Sequence, residues 1–176
     1  QNGELTFYGK YKVRDSRKGC YGKISIAEIF ERSSNTGMVQ AIYNEYNSKP
    51  EQFVNRLMNM GLSESLGLPI VGEAKPVIPH PDKKGWSGIS LPWMAYGYGV
   101  LMTPMQTLTF YNAIANDGIM VRPRFIEGTH NTRNQVKKQS EVEIINPSIC
   151  SKETIGKVKS MLKGVVEKPW GTAHNI

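Results

Sequence analysis

The chain has 176 residues, enough for one domain with its own core or for a large part of a bigger one. Its 39% hydrophobic and 21% charged residues exclude a disordered or fibrous chain, and no apolar run reaches the about 18 residues of a membrane-spanning helix. The net charge of +7 is scattered over sites such as Arg14, Lys83-Lys84, Arg122, Arg124 and Lys137-Lys138, which reads as a solvated basic surface and not as a nucleic-acid face.

Gln1-Asn2-Gly3-Glu4 has no initiator Met, basic start or apolar stretch, so it is no signal peptide and the chain is expected to begin inside a longer protein. Residues 1–24 read as strand and turn, with loose alternation from Glu4 to Val13. Ser25 with Glu28 forms a capping-box pattern for a short helix ending near Arg32, with Ile26, Ile29 and Phe30 on one face. Ser33-Ser34-Asn35 prefers caps and turns. A second helix is predicted from near Thr36 to about Tyr46. A third opens at Pro50, with Phe53, Leu57, Met58 and Met60 inward, and Gly61 ends it. Residues 62–102 are rich in Gly and Pro and read as a long irregular connection, packed because Trp86, Trp93, Tyr96 and Tyr98 lie in it.

Thr103-Pro104 opens the clearest helix, with Met105, Leu108, Phe110, Tyr111, Ile114 and Ala115 as its apolar face and Asn116-Asp117-Gly118 as its end. Ile119–Ile126 reads as a strand that Pro123 marks as an edge. Residues 127–140 are polar and are expected to be exposed, and Val142–Ile145 is a short strand. Ser151 starts a last helix from Lys152 to about Lys168, with Ile155, Val158, Met161, Leu162 and Val165 inward.

Few residues offer chemistry. Cys20 and Cys150 are far apart and form no C-x-x-C, and the sequence leaves their pairing open. His80, His130 and His174 are isolated, so no metal and no cofactor is expected. Ser33 and Asn35 sit two apart at a helix-to-helix corner. A hydroxyl there passes protons and a carboxamide both donates to and accepts from an amide, two roles that an acyl-transfer site needs.

The stretch ISIAEIFERSSNTGM, ending at Met38, resembles the segment around the second active-site motif of class B penicillin-binding proteins. Gly97–Gly118, GYGVLMTPMQTLTFYNAIANDG, is similar to the same family's Gly-rich turn, Thr-Pro-x-Gln helix start and Ala-rich helix ending in Asn-Gly. The two stretches occur in the family's order, and the likeness is nearest to division-type transpeptidases. That family joins three motifs in one cleft, S-x-x-K, S-x-N and K-[ST]-G. The resemblance implies that Ser33 relays protons and that Asn35 holds the substrate peptide, with Ser34 at the variable position.

The other two motifs are expected to be missing. Ser160-Met161-Leu162-Lys163 spells S-x-x-K but follows S-x-N. With 13 serines and 15 lysines in 176 residues, about one such match arises by chance. Lys168-Pro169-Trp170-Gly171-Thr172-Ala173 resembles K-T-G-T-A, yet an extra residue separates Lys from Gly and Pro169 would remove a ladder donor. Residues 169–176 therefore read as the family's turn after the last helix. Residues 1–176 are expected to be a partial transpeptidase domain with no nucleophile of its own, S-x-x-K lying upstream and K-[ST]-G downstream. The resemblance implies an α+β fold related to serine β-lactamases, seen here mainly as its helical subdomain with a few antiparallel strands. It further implies peptidoglycan stem peptides and β-lactams as ligands, division and cell-wall synthesis proteins as partners, and no nucleic acid. It places the protein at the periplasmic face of the cytoplasmic membrane, held by an N-terminal anchor outside this chain. A non-catalytic module of the same fold and a β-lactam hydrolase or sensor are the alternatives.

Overall fold

The computed structural model describes residues 3–17, 21–131 and 136–176. It divides into two compact units, one of Gln1–Arg56, Ile78–Leu101 and Gly156–Ile176, the other of Leu57–Val77 and Met102–Ile155.

In the first unit the alternating N-terminal stretch folds into an antiparallel hairpin, β1 (Glu4–Phe7) and β2 (Tyr11–Arg14). Tyr8 and Gly9 turn the chain with φ of 52° and 71°, and the Lys10 N–H closes the turn on the Phe7 carbonyl at 3.2 Å. Two successive positive φ values are the type I′ geometry, whose twist matches that of the strands. Lys12 and Arg14 bind the Glu4 carboxylate at 2.9 and 2.6 Å and hold its carboxyl below the usual range.

Helix α1 (Ile26–Glu31) carries the capping box read from the sequence, with Ser25 Oγ accepting from the Glu28 N–H and Glu28 Oε2 accepting from the Ser25 N–H, both at 3.2 Å. Helix α2 (Asn35–Tyr46) follows after a three-residue corner, Arg32–Ser34. Gly37 lets the two helices close up: a Cβ there would fall 2.7 Å from Ile29 Cγ2 and 2.8 Å from Ile29 Cγ1. Phe7 meets Tyr43 of α2 edge-on at 5.2 Å between ring centroids, which seats the hairpin on this helix. Helix α3 (Pro50–Asn59) starts at Pro50 as expected, but its fully buried residue is Val54, which the periodicity did not single out. The Gly- and Pro-rich connection contains one short helix, α4 (Ser90–Met94), which buries Leu91, Pro92 and Met94 and sets Trp93 edge-on against Tyr11. The last helix, α6 (Lys152–Glu167), buries Ile155 and half-buries Val158, Met161, Leu162 and Val165.

The second unit holds α5 (Pro104–Ala115), whose cap is stronger than predicted. Thr103 Oγ1 accepts from the Gln106 N–H at 3.2 Å, and Gln106 Oε1 accepts from the Thr103 N–H at 2.7 Å. The buried side of α5 differs from the expected face: Gln106, Thr109, Ala113 and Ile114 are buried, Ala115 is exposed, and Leu108 and Tyr111 are 61% and 52% exposed. Apolar residues occur on more than one side of this helix, so the pattern alone does not choose. Thr109 enters at low cost because its hydroxyl donates to the Met105 carbonyl at 2.8 Å.

Two strand expectations are corrected. Only Met120–Val121 of the Ile119–Ile126 run forms a strand, β3. It pairs antiparallel with a later strand, Ile144–Asn146. The Arg122 N–H adds one bond to the Glu143 carbonyl at 2.8 Å, and Pro123, lacking an N–H, ends the ladder. The polar stretch 127–140, to which no strand was assigned, contains an antiparallel pair, β4 (Gly128–His130) and β5 (Val136–Gln139); it has no apolar alternation to announce it. With those two counted, Ile144–Asn146 is β6. These three strand pairs are all antiparallel, in keeping with the α+β class.

Glu73 closes the 66–73 loop of this unit. Its carboxylate accepts from the Leu66 N–H at 2.6 Å and the Leu68 N–H at 2.9 Å. The Leu68 amide above all, with the amides of Leu66 and Gly67 and the Arg122 charge, holds the carboxyl below its usual range. Cys150 is half-buried, and burial pushes its thiol up; Cys20 lies outside the described residues.

Gly37→Ala is expected to destabilise the chain by about 1–3 kcal/mol, because the added methyl overpacks the α1–α2 contact; urea unfolding measures this. A lowered folded-state pKa means that the Glu73 carboxylate stabilises the loop above the ordinary glutamate range and that this is lost as pH falls through the lowered value. Hydrogen-exchange protection of the Leu66 and Leu68 amides is therefore expected to fall on acidification, and Glu73→Gln is expected to flatten the dependence.

Candidate active site

The corner between α1 and α2 is built from backbone first. The Ser33 N–H donates to the Phe30 carbonyl and the Ser34 N–H to the Ile29 carbonyl, each at 3.0 Å, the paired bonds of a Schellman helix ending. This ending needs a left-handed residue at Ser33, whose φ is 53°. Glycine usually fills the position, because a Cβ there costs about 1–2 kcal/mol. Serine in its place carries an exposed hydroxyl out of the corner.

Ser34 closes α1 and also caps α2. Its Oγ accepts from the Gly37 N–H at 3.1 Å and donates to the Asp15 carboxylate at 3.1 Å. Asp15 stands just past β2 and also accepts from the Thr36 N–H at 2.9 Å and the Thr36 hydroxyl at 2.8 Å. Ser34 and Thr36 are 1% and 0% exposed, so this carboxylate satisfies donors that water does not reach. Asn35 is the first residue of α2 and half-buried; its Nδ2 donates to the Arg14 carbonyl at 2.9 Å.

The turn after α6 is tied to the same corner. The Thr172 N–H and hydroxyl donate to the Glu31 carbonyl at 3.0 and 2.9 Å, and Ser33 Oγ lies 2.7 Å from Thr172 Oγ1. Glu31 is buried, and its carboxylate accepts from the Trp170 indole N–H at 2.6 Å. The Arg32 guanidinium lies over the rings of Tyr21 and Trp170, at 5.2 and 5.5 Å from their centroids. Gly164 of α6 packs directly on the Glu31 side chain.

The structure therefore brings Ser33 and Asn35 together with Asp15, Glu31, Trp170 and Thr172, none of which the motif reading singled out as site residues. The one available signal was an acidic residue, Glu31, directly before the corner. Ser160 is exposed on α6, and Lys163 pairs with Glu167 at 3.5 Å. Residues 169–176 form turns and no strand, as read from the sequence. Among the described residues no group of three or more His, Cys, Asp or Glu is placed to hold a metal ion.

A sequence model of the penicillin binding protein transpeptidase domain matches residues 1–176. The chain belongs to that family. It is 30% identical over 160 residues to the penicillin-binding protein PbpB of Mycolicibacterium smegmatis, covering 91% of this chain and 24% of that protein. It is 28% identical to the peptidoglycan D,D-transpeptidase FtsI of Escherichia coli K12, over 62% of this chain and 17% of that protein. The crystal structure of penicillin-binding protein 3 from Mycobacterium tuberculosis in complex with aztreonam superposes with a TM-score of 0.76 at 28% identity, covering 96% of this chain and 36% of that one. The transpeptidase domain of Burkholderia pseudomallei penicillin-binding protein 3 gives a TM-score of 0.76 at 26% identity, over 99% and 47%. The chain thus spans about a quarter of the length of the PbpB protein it matches.

Class B, division-type penicillin-binding proteins, the family read from the two motif stretches, are borne out by these relatives, and so is the α+β class. In this family member the two stretches fall on distinct local structures. The S-x-N stretch is the α1–α2 corner, while the second runs through Gly97 and Gly99, both at positive φ, into α5.

Asp15→Ala is expected to cost about 1–3 kcal/mol, the penalty for stranding buried donors. Asp15→Asn, which keeps one acceptor oxygen, is expected to cost less. Chemical unfolding of the two variants beside the parent chain tests the order.

Proposed function

We propose that this chain is the middle of the transpeptidase domain of a class B D,D-transpeptidase. Its S-x-x-K nucleophile motif precedes Gln1 and its K-[ST]-G strand follows Ile176. The reaction is attack of the nucleophilic serine on the D-Ala-D-Ala bond of one stem peptide, release of D-Ala, and transfer of the acyl group to the amine of another stem peptide. Ser33 passes a proton between groups at the reacting centre and Asn35 holds the peptide through its carboxamide.

The observation that carries this reading is the left-handed Ser33 with its exposed hydroxyl at an S-x-N corner, in a chain whose whole length matches the family. A serine kept where glycine is cheaper fits a side chain retained for its chemistry. β-Lactams, which acylate serines in such clefts, are the second ligand class, supported by the relative crystallised with aztreonam. The full protein acts at the periplasmic face of the cytoplasmic membrane, tethered by an N-terminal helix outside this chain and working with division and cell-wall synthesis proteins. Among the described residues no helix is long and apolar enough to cross a membrane.

Intact-mass analysis after incubation with penicillin tests the assignment. The full-length protein is expected to gain one penicilloyl group on a serine upstream of Gln1, while residues 1–176 alone gain none. A stable adduct on Ser33 or Ser160 in either sample overturns it.

A further inference from the structure

Glu31 stands two positions before Ser33 and is 6% exposed. It takes three bonds from the turn after α6. Its carbonyl accepts from the Thr172 N–H at 3.0 Å and from the Thr172 hydroxyl at 2.9 Å, and its carboxylate accepts from the Trp170 indole N–H at 2.6 Å. Burying a carboxylate is costly, and an apolar side chain would fill the same space without needing a partner. An apolar contact can slide, however, whereas a hydrogen bond to a carboxylate is short and directional. Two glycines make room for the arrangement: a Cβ on Gly164 would collide with the Glu31 carboxylate, and one on Gly171 with the Val165 carbonyl. The Arg32 guanidinium lies over the Trp170 ring at 5.5 Å. The turn is also bound back to α6, the Ala173 N–H donating to the Val165 carbonyl at 3.0 Å.

We propose that Glu31 and Trp170 are positioning residues that hold the start of the third-motif strand in register with Ser33 and Asn35. This rests on the reading of the chain as the middle of a transpeptidase domain, with K-[ST]-G after Ile176. On that reading the substrate lies between the S-x-N corner and the strand, so the two must keep a fixed spacing. Six residues, Gly171–Ile176, separate Trp170 from the last position of the chain. Their turns take up slack, the Ile176 N–H closing on the Ala173 carbonyl at 3.2 Å. A misplacement of about 1 Å between groups that hold one substrate costs up to about a hundredfold in rate. The carboxylate beside the motif serine thus sets where the third motif begins, without touching the substrate itself.

The test is made in the full-length protein, as the rate of acylation by a fluorescent penicillin per acylatable site, well below the melting temperature. Trp170→Phe keeps an aromatic ring and removes the N–H. Its maximal acylation rate should fall about tenfold while the half-saturating concentration moves less than about threefold, because orientation and not affinity is lost. Glu31→Gln keeps an acceptor oxygen for the indole and should stay within about threefold of the parent. Val54→Ala opens a cavity in the buried core of the same unit; it should lower the melting temperature and leave the rate per site unchanged. A parent-like rate for Trp170→Phe beside a slow Asn35→Ala overturns the clamp and leaves the proposed function standing. Slowing by Val54→Ala equal to that by Trp170→Phe also overturns it, since lost stability then accounts for the rate. So does slowing by Glu31→Gln to the level of Trp170→Phe. A parent-like rate for Asn35→Ala removes the role of the S-x-N corner and the inference with it.

Discussion

One carboxylate organises the corner on which the family motif sits. Asp15, at the end of the N-terminal hairpin, takes the Thr36 N–H, the Thr36 hydroxyl and the Ser34 hydroxyl. A helix begins with N–H groups that have no partner within it and with a positive end to its dipole. Asp15 answers both needs at α2. The neighbouring Arg14 carbonyl takes the Asn35 carboxamide, so the strand end and the helix start are joined side chain to backbone in both directions. The orientation of Asn35 is thereby set by β2, an element some twenty residues earlier in the chain.

The corner trades stability for a side chain. Ser33 occupies a left-handed position that glycine would fill without strain, and the two backbone bonds of the Schellman ending hold it there. Ser34 serves two helices at once, as the residue after the end of α1 and the cap of α2. The short corner leaves little freedom for the hydroxyl and the carboxamide to drift apart, which is what a site that must present both to one substrate requires. Gly37 adds to this by letting α2 lie close on Ile29.

Much of this was legible in the sequence where the determinants are local. Ser25 with Glu28, Pro50, Thr103-Pro104 and Ser151 each announce a helix start by chemistry that acts over three or four residues, and the structure has a helix at each. The S-x-N triplet was legible as a corner and, through its neighbours, as a family motif. What was not legible depends on distant partners. Nothing near Asp15 announces that it will cap a helix beginning at Asn35, and nothing near Thr172 points to Ser33. The inner face of α5 was misread because Gln106 and Thr109 bury polar groups that the helix itself satisfies in part. The β4–β5 pair escaped because its strands lack apolar alternation, and the Ile119–Ile126 strand was overextended because Pro123 ends the ladder after Arg122.

The contact between Ser33 and Thr172 spans 139 positions of sequence. The caps around Ser34 close within a few residues and the Asp15 anchor within about twenty. Loop closure over the longer span carries a larger entropic cost, so local contacts have the kinetic advantage. The local bonds of the corner do not need the turn after α6, so Ser33 can hold its left-handed pose before its hydroxyl has a fixed direction. That direction arrives only when the turn after α6 docks. The pose of Ser33 thus depends on its near neighbours in sequence, and the direction of its hydroxyl on the far end of the same unit.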